Sequence, residues 1–173
     1  MNLRHLSLLM AITAGLASAT AQAATTGTLR FVGQINAGTC NLAAGDANRT
    51  VTLPTVKVSD FDNSNAAGVS SFDLTANCES GISSVSFTFA GTASTGNGTL
   101  FANTGASKGT ALSLSHRNVA YIPANGTPAQ RTRQVATAAG KAVLPLNANY
   151  HKTGEKITAG AFTSVLTVSI TYN

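Results

Sequence analysis

Apolar residues recur at every second position in several short runs along this chain, and the runs are separated by polar turns. Thr28 to Ile35 puts Leu29, Phe31, Gly33 and Ile35 on one side and Arg30, Val32 and Gln34 on the other. Period two is the mark of a half-buried strand. A glycine inside such a strand marks the close approach of another backbone. Thr50-Val51-Thr52-Leu53 reads as a short strand stopped by Pro54, with Val56-Lys57-Val58 continuing it beyond a bulge or corner. Asp60 to Gly68 is a loop of Asp, Asn, Ser and Gly. Ser71 to Cys78 alternates again, with Phe72, Leu74, Ala76 and Cys78 inward.

Further strands are predicted over Val85–Phe89, Ala111–Ser115, Val119–Ile122 and Val143–Tyr150, the last with Pro145 at an edge or bend. Leu100-Phe101 restarts the apolar signal after a Gly/Ser/Thr/Asn turn. The strongest signal comes last. Phe162, Leu166, Val168, Ile170 and Tyr172 share a face with the small Ser164, and Thr163, Val165, Thr167, Ser169 and Thr171 share the other. Short strands between polar turns, with no sustained helical period, predict an all-β sandwich. A short helical turn has room at Ala66 to Ser71 or Arg131 to Ala138 without changing that class.

Composition agrees with this reading and adds the compartment. Only 10% of residues are charged, Trp is absent, and small β-tolerant residues abound, which suits a β-domain largely covered by neighbours. Ahead of the first strand, Arg4 precedes an uncharged apolar run from Leu6 to Ala19, and Ala21-Gln22-Ala23 follows. This is the order of an export signal, cleaved after Ala23. The run falls short of the roughly 20 apolar residues that a bilayer span needs. Residues 24–173 then form one domain by size. Two cysteines remain, Cys40 and Cys78, and an even count in an oxidising compartment reads as one disulfide; a metal pair is the alternative, without other ligands nearby.

Charge and chemistry-bearing residues narrow the function by exclusion. The net charge is +5, and loss of Arg4 with the signal leaves +4, ten Lys and Arg against six Asp and Glu. Apart from Arg131 and Arg133 the basic residues are scattered, unlike the clustered, aromatic-interleaved face of a nucleic-acid binder. No Gly-x-Ser-x-Gly elbow and no phosphate-cradling loop occur. His116 and His151 read as surface histidines, and Asp60 and Asp62 as turn formers. No catalytic residue, cofactor or metal is expected.

The two chain ends carry a resemblance. Gly27-Thr28-Leu29-Arg30-Phe31-Val32-Gly33-Gln34-Ile35, followed by Cys40, is similar to the N-terminal extension of chaperone–usher pilins, and the type 1 fimbrial major subunit is the nearest pattern. Thr50 to Val56, Phe87 to Ala93, Gly109 to Leu112, Leu144 to Tyr150 and Gly160 through the penultimate Tyr172 follow in the family's order. The resemblance implies an incomplete immunoglobulin-like fold of six strands, with the seventh supplied in trans. It divides the chain into a signal at 1–23, a donor-strand extension at 24–39 and a pilin domain at 40–173.

Leu29, Phe31, Gly33 and Ile35 become donor residues for a neighbour. Leu166, Val168, Ile170 and Tyr172 become one wall of an acceptor groove, and the carboxylate at Asn173 is expected to be held by basic residues of a periplasmic chaperone. An outer-membrane usher and neighbouring subunits, in a homopolymer, complete the expected partners, with neither nucleic acid nor membrane insertion among them. The expected location is a surface fimbrium used in adhesion and biofilm formation, reached through the periplasm. Ahead of Leu29, Gly27 and Thr25 stand where family members often carry bulk, so the outermost groove position is expected to be weakly filled. Other readings are a minor adaptor or terminator subunit and, from a different class, a free-standing secreted β-sandwich binding protein. A tip adhesin normally adds a sugar-binding domain for which the mature chain leaves no room.

Overall fold

A computed structural model describes residues 28–35 and 38–173. The chain divides into two units, Met1–Gln34 and Ile35–Asn173. The expected export signal lies outside the described residues, as do Thr25 and Gly27. Within the first unit, residues 28–34 have no assigned secondary structure, although their sequence alternates as a strand does. Alternation fixes where side chains point and does not by itself make a ladder.

The second unit is an open, all-β sandwich with eight strands among the described residues. These are β1 (Cys40–Leu42), β2 (Ala66–Cys78), β3 (Ser84–Gly91), β4 (Thr110–His116), β5 (Ala120–Tyr121), β6 (Thr132–Ala136), β7 (Lys141–Lys152) and β8 (Leu166–Tyr172). One sheet runs β1-β2-β7-β4-β5 and the other β6-β3-β8, and the strands in both pair antiparallel. The count exceeds the expected six because the short β1 and β5 are separate pieces on the edges of the first sheet. This is an incomplete immunoglobulin-like sandwich. No helix among the described residues is long and apolar enough to cross a membrane.

Inward residues of both sheets build the core. Val85 and Phe87 of β3 and Ala142, Leu144 and Leu146 of β7 are fully covered, and Phe101 and Ile122 seal it from connecting segments. Burying a side chain of this size contributes about 1.5–3 kcal/mol each. β1 is tied to β2 by the Cys40–Cys78 disulfide, between residues directly opposite in the ladder.

Four local expectations need correction. The possible helical turns at 66–71 and 131–138 are the strands β2 and β6, and the helical turn is instead a 3-10 turn at Val58–Phe61. There Lys57 N–H donates to the Asp60 carboxylate at 2.8 Å, and Phe61 is buried. The predicted loop at 60–68 ends earlier, since β2 begins at Ala66. Pro145 sits in a central strand rather than at an edge. Its carbonyl accepts from Arg117 N–H at 3.0 Å, so its nitrogen faces the same way, toward the turn after β4. The missing N–H therefore removes no bond from the β2–β7 ladder.

The fourth correction is Thr50–Leu53, which is not a strand. Val51, Leu53 and Val56 are half-buried between exposed neighbours, as the pattern predicts. Yet among the described residues no hydrogen bond joins Thr50–Val56 to anything. The side chains have found their face; the backbone has no partner.

Candidate functional site: an unfilled groove beside the last strand

β8 pairs with β3 on one side, from Val85 opposite Tyr172 to Gly91 opposite Leu166, and is an edge strand on the other. Facing that free edge is the unbonded Thr50–Leu53 segment. Between them lies a cavity of about 940 Å³. Its floor is apolar and drawn from both sheets, with Phe72, Leu74, Leu112, Leu114 and Ala148 from the first and Phe89 from the second. One wall is Asp46–Leu53; the other is Phe162–Val168. A second cavity, about 290 Å³, is lined by small and charged residues around Ser94, Asn103, Lys108 and Thr153 and has no comparable apolar floor.

The wall at 162–168 shows why the long C-terminal signal is only partly a strand. β8 starts at Leu166, because beyond Gly91 the position beside β3 is taken by Phe101. That residue bridges to Ala93 and Leu112 and is almost fully buried. A Cβ on Gly91 would sit 2.7 Å from the Phe101 ring, so the glycine is what admits it. Displaced, residues 161–163 bond elsewhere. Ser107 N–H donates to Ala161 O at 2.9 Å, Thr104 N–H to Thr163 O at 2.7 Å, and Thr163 N–H to Asn103 Oδ1 at 3.0 Å. Phe162 and Ser164 still face inward with Leu166.

Leu166 and Val168 line the cavity, whereas Ile170, Tyr172 and Asn173 lie further along the same strand and do not. Ile170 packs on the core and Tyr172 is 41% exposed. Asn173 is held by the chain's own serines. Its main-chain oxygen accepts from Ser83 N–H at 2.7 Å, and Ser84 Oγ donates to its Oδ1 at 2.5 Å. Of the residues expected to donate, Leu29, Phe31 and Ile35 are 82%, 90% and 99% exposed. Large apolar side chains left this open are unusual on a soluble domain.

Of the residues expected to wall a groove, Leu166 and Val168 line this cavity, while its floor and opposite wall were not among the expected residues. Alternation places Phe72, Leu112 and Leu114 inside without saying that the space above them is empty. Asp46 and Arg49 carry no sequence signal for their place on the wall.

Electrostatic perturbation is modest. Burial pushes the Tyr150 phenol, beside the groove, above its ordinary value. His116 is held below its usual value, first by burial and then by the Arg133 charge. Among the described residues no group of three or more His, Cys, Asp or Glu stands together as metal ligands do. The groove offers apolar surface and unpaired backbone, the requirements for holding an extended chain.

An open sandwich with a bare edge strand above an apolar trough defines an incomplete β-domain with room for one more strand. Residues 29–173 match the fimbrial protein family, and the chain belongs to it. It is thus a fimbrial subunit and not an enzyme. The P pilus rod subunit PapA is similar in structure, with a TM-score of 0.65 at 18% identity over 78% of this chain and 99% of that one. A chaperone–usher pilus solved for the basis of rod uncoiling gives 0.63 at 17% identity, over 87% and 98%. The CupB6 tip adhesin of Pseudomonas aeruginosa gives 0.59 at 21% identity, over 70% of this chain and 35% of the adhesin. At these identities the likeness is one of fold. No curated protein sequence matches the chain significantly.

Proposed function

We propose that this protein is the repeating shaft subunit of a chaperone–usher fimbria, polymerising by donor-strand exchange. Segment 24–39 of one copy is the donor, and the domain at 40–173 of the next is the acceptor, with Leu29, Phe31, Gly33 and Ile35 entering the groove beside Leu166 and Val168. The observation that carries the reading is a match within one chain. An apolar trough under an unpaired strand edge occurs together with an exposed segment of alternating apolar residues. Both have the same length: Leu29 to Ile35 and Phe162 to Val168 each span six residue steps, about 20 Å when extended. Added strands of this kind are held by backbone hydrogen bonds, and alternate side chains filling the trough set their specificity. A chain that carries both parts can donate and accept, which a repeating unit requires.

On this reading a periplasmic chaperone first lends a strand to the groove, and the exchange takes place at the outer-membrane usher. The test is Phe31→Arg, co-expressed with its chaperone. The variant subunit should be recovered bound to the chaperone while fibres are absent by electron microscopy. Fibres of normal length from Phe31→Arg would overturn the reading.

A further inference from the structure

Two strand edges flank the region where an added strand would enter, yet one of them is already closed. β1 pairs with β2 over Cys40–Leu42, and Ala43 N–H adds a bond to Thr75 O at 2.8 Å. The chain then turns away, and the rest of β2 lies at the edge of its sheet. Side chains take over from the departed backbone. Asp46 Oδ2 accepts from Thr75 N–H at 2.8 Å, and Arg49 Nη1 donates to Asp73 O at 2.7 Å. The same Nη1 reaches Asp46 Oδ1 at 2.8 Å, and the guanidinium carbon lies 5.4 Å from the Phe72 ring centroid.

This pair differs from an ordinary surface ion pair. The Asp46 side chain is only 9% exposed, and both partners spend their hydrogen bonds on the main chain of β2. These are the donor and acceptor that another strand would use. Further along, the ladder to β7 shifts register between Ala67 and Ser70, and Gly68 takes φ +66. A bulge of this kind also discourages edge pairing. Among the described residues nothing closes the β8 edge beside the groove in this way. Asp46 and Arg49 also open the Thr50–Leu53 wall, which has no hydrogen bonds of its own, and Arg49 holds that start against Phe72 on the groove floor.

We infer that the Asp46–Arg49 pair is a positioning device for subunit assembly: it closes the β2 edge to an incoming strand, directs that strand to β8, and anchors the start of the opposite wall. The inference rests on the strand-addition reading above and names residues that this reading does not use.

The experiment follows capture of a synthetic peptide of residues 24–39 by the full-length subunit released from its chaperone, with hydrogen–deuterium exchange reporting where the peptide binds. In the wild type, protection should appear along 162–168, the groove wall that runs into the start of β8. In Arg49→Gln and in Asp46→Asn, capture should slow by about tenfold, the order of one charge-assisted hydrogen bond, and protection should spread to 66–75. Arg49→Lys should restore part of the rate with protection returned to β8. Capture by Arg49→Gln at the wild-type rate, with protection confined to β8, would overturn the inference. So would a uniform loss of thermal stability with no change in where the peptide binds. If the wild type itself captures nothing, strand addition fails first, and that outcome is distinct from the other two.

Discussion

Tyr150 and Phe162 meet edge to face beside the groove, their ring centroids 4.8 Å apart and their planes at 88°. Tyr150 belongs to β7 in one sheet and Phe162 to the irregular run ahead of β8 in the other layer. The contact therefore ties the Phe162–Val168 wall of the trough to the first sheet. A Cβ on Gly68 would lie 2.8 Å from the Tyr150 ring, and Gly68 has φ +66, so the glycine both shapes the bulge in β2 and seats the ring.

Removing the Phe162 ring should therefore destabilise the domain. Phe162 is half-buried, so Phe162→Ala should cost about 2–3 kcal/mol, below the full core value, with part of it from the lost ring pair. Gly68→Ala should also destabilise, through both the disfavoured φ and the clash with Tyr150. Urea unfolding at constant slope measures both. A change under about 0.5 kcal/mol for Phe162→Ala would mean that the ring pair is incidental.

The disulfide closes a loop with a sequence separation of 38 residues. On the chain-entropy model such a closure stabilises by about 4 kcal/mol. The double substitution Cys40→Ala with Cys78→Ala should lower unfolding free energy by about 2–5 kcal/mol, and reduction of the wild type should do the same. Loss should show first at β1, whose short ladder to β2 is held at Cys40, and hydrogen exchange at Asn41 and Leu42 would report it.

How much of this was legible in the sequence follows from what periodicity measures. It reports the face on which a side chain lies, and on that point β2 and β8 are read correctly. It does not report whether a backbone finds a partner. Thr50–Leu53 and 28–35 both alternate as strands and neither is one here, because pairing depends on what lies beside them. Phe162–Val165 fails for a different reason, as Phe101 takes its place at Gly91, a contact between residues distant in sequence. The groove is thus legible as two segments with strand patterning and no ladder, but only once the rest of the sheet is known. The Asp46–Arg49 pair is still less legible, since both residues have the composition of a turn and their partners are main-chain atoms of β2.

His116 supplies a pH dependence with a fixed sign. Burial, and then the charge of Arg133, hold its folded-state pKa below the ordinary value of 6.5. Between those two pKa values the unfolded chain binds more protons than the folded one, so stability rises with pH. The contribution is present above pH 6.5 and is lost as pH falls toward the folded value. The melting temperature should drop from pH 7 to pH 5, and His116→Gln should shrink that drop. Arg133→Gln should raise the His116 pKa in an NMR titration; a lowered or unmoved value would exclude the charge as a cause.

Gly33 separates an effect on the subunit from an effect on assembly. In the described structure a Cβ at Gly33 would meet nothing within 4 Å, so Gly33→Val has no steric cost in the chain's own fold. Inserted in a neighbour's groove, the same position lies between the large Phe31 and Ile35 on the inward face. There an added isopropyl group must fit into a trough formed without it. Overpacking of this sort costs about 1–3 kcal/mol, equivalent to roughly tenfold to a hundredfold in affinity. The Gly33→Val subunit should melt with the wild type, while the 24–39 peptide carrying valine at 33 should compete poorly for the wild-type groove. Alanine at the same position should fall between the two. Equal competition by the valine and glycine peptides would show that the inserted strand does not approach the groove closely at this residue, and the donor register would then have to shift.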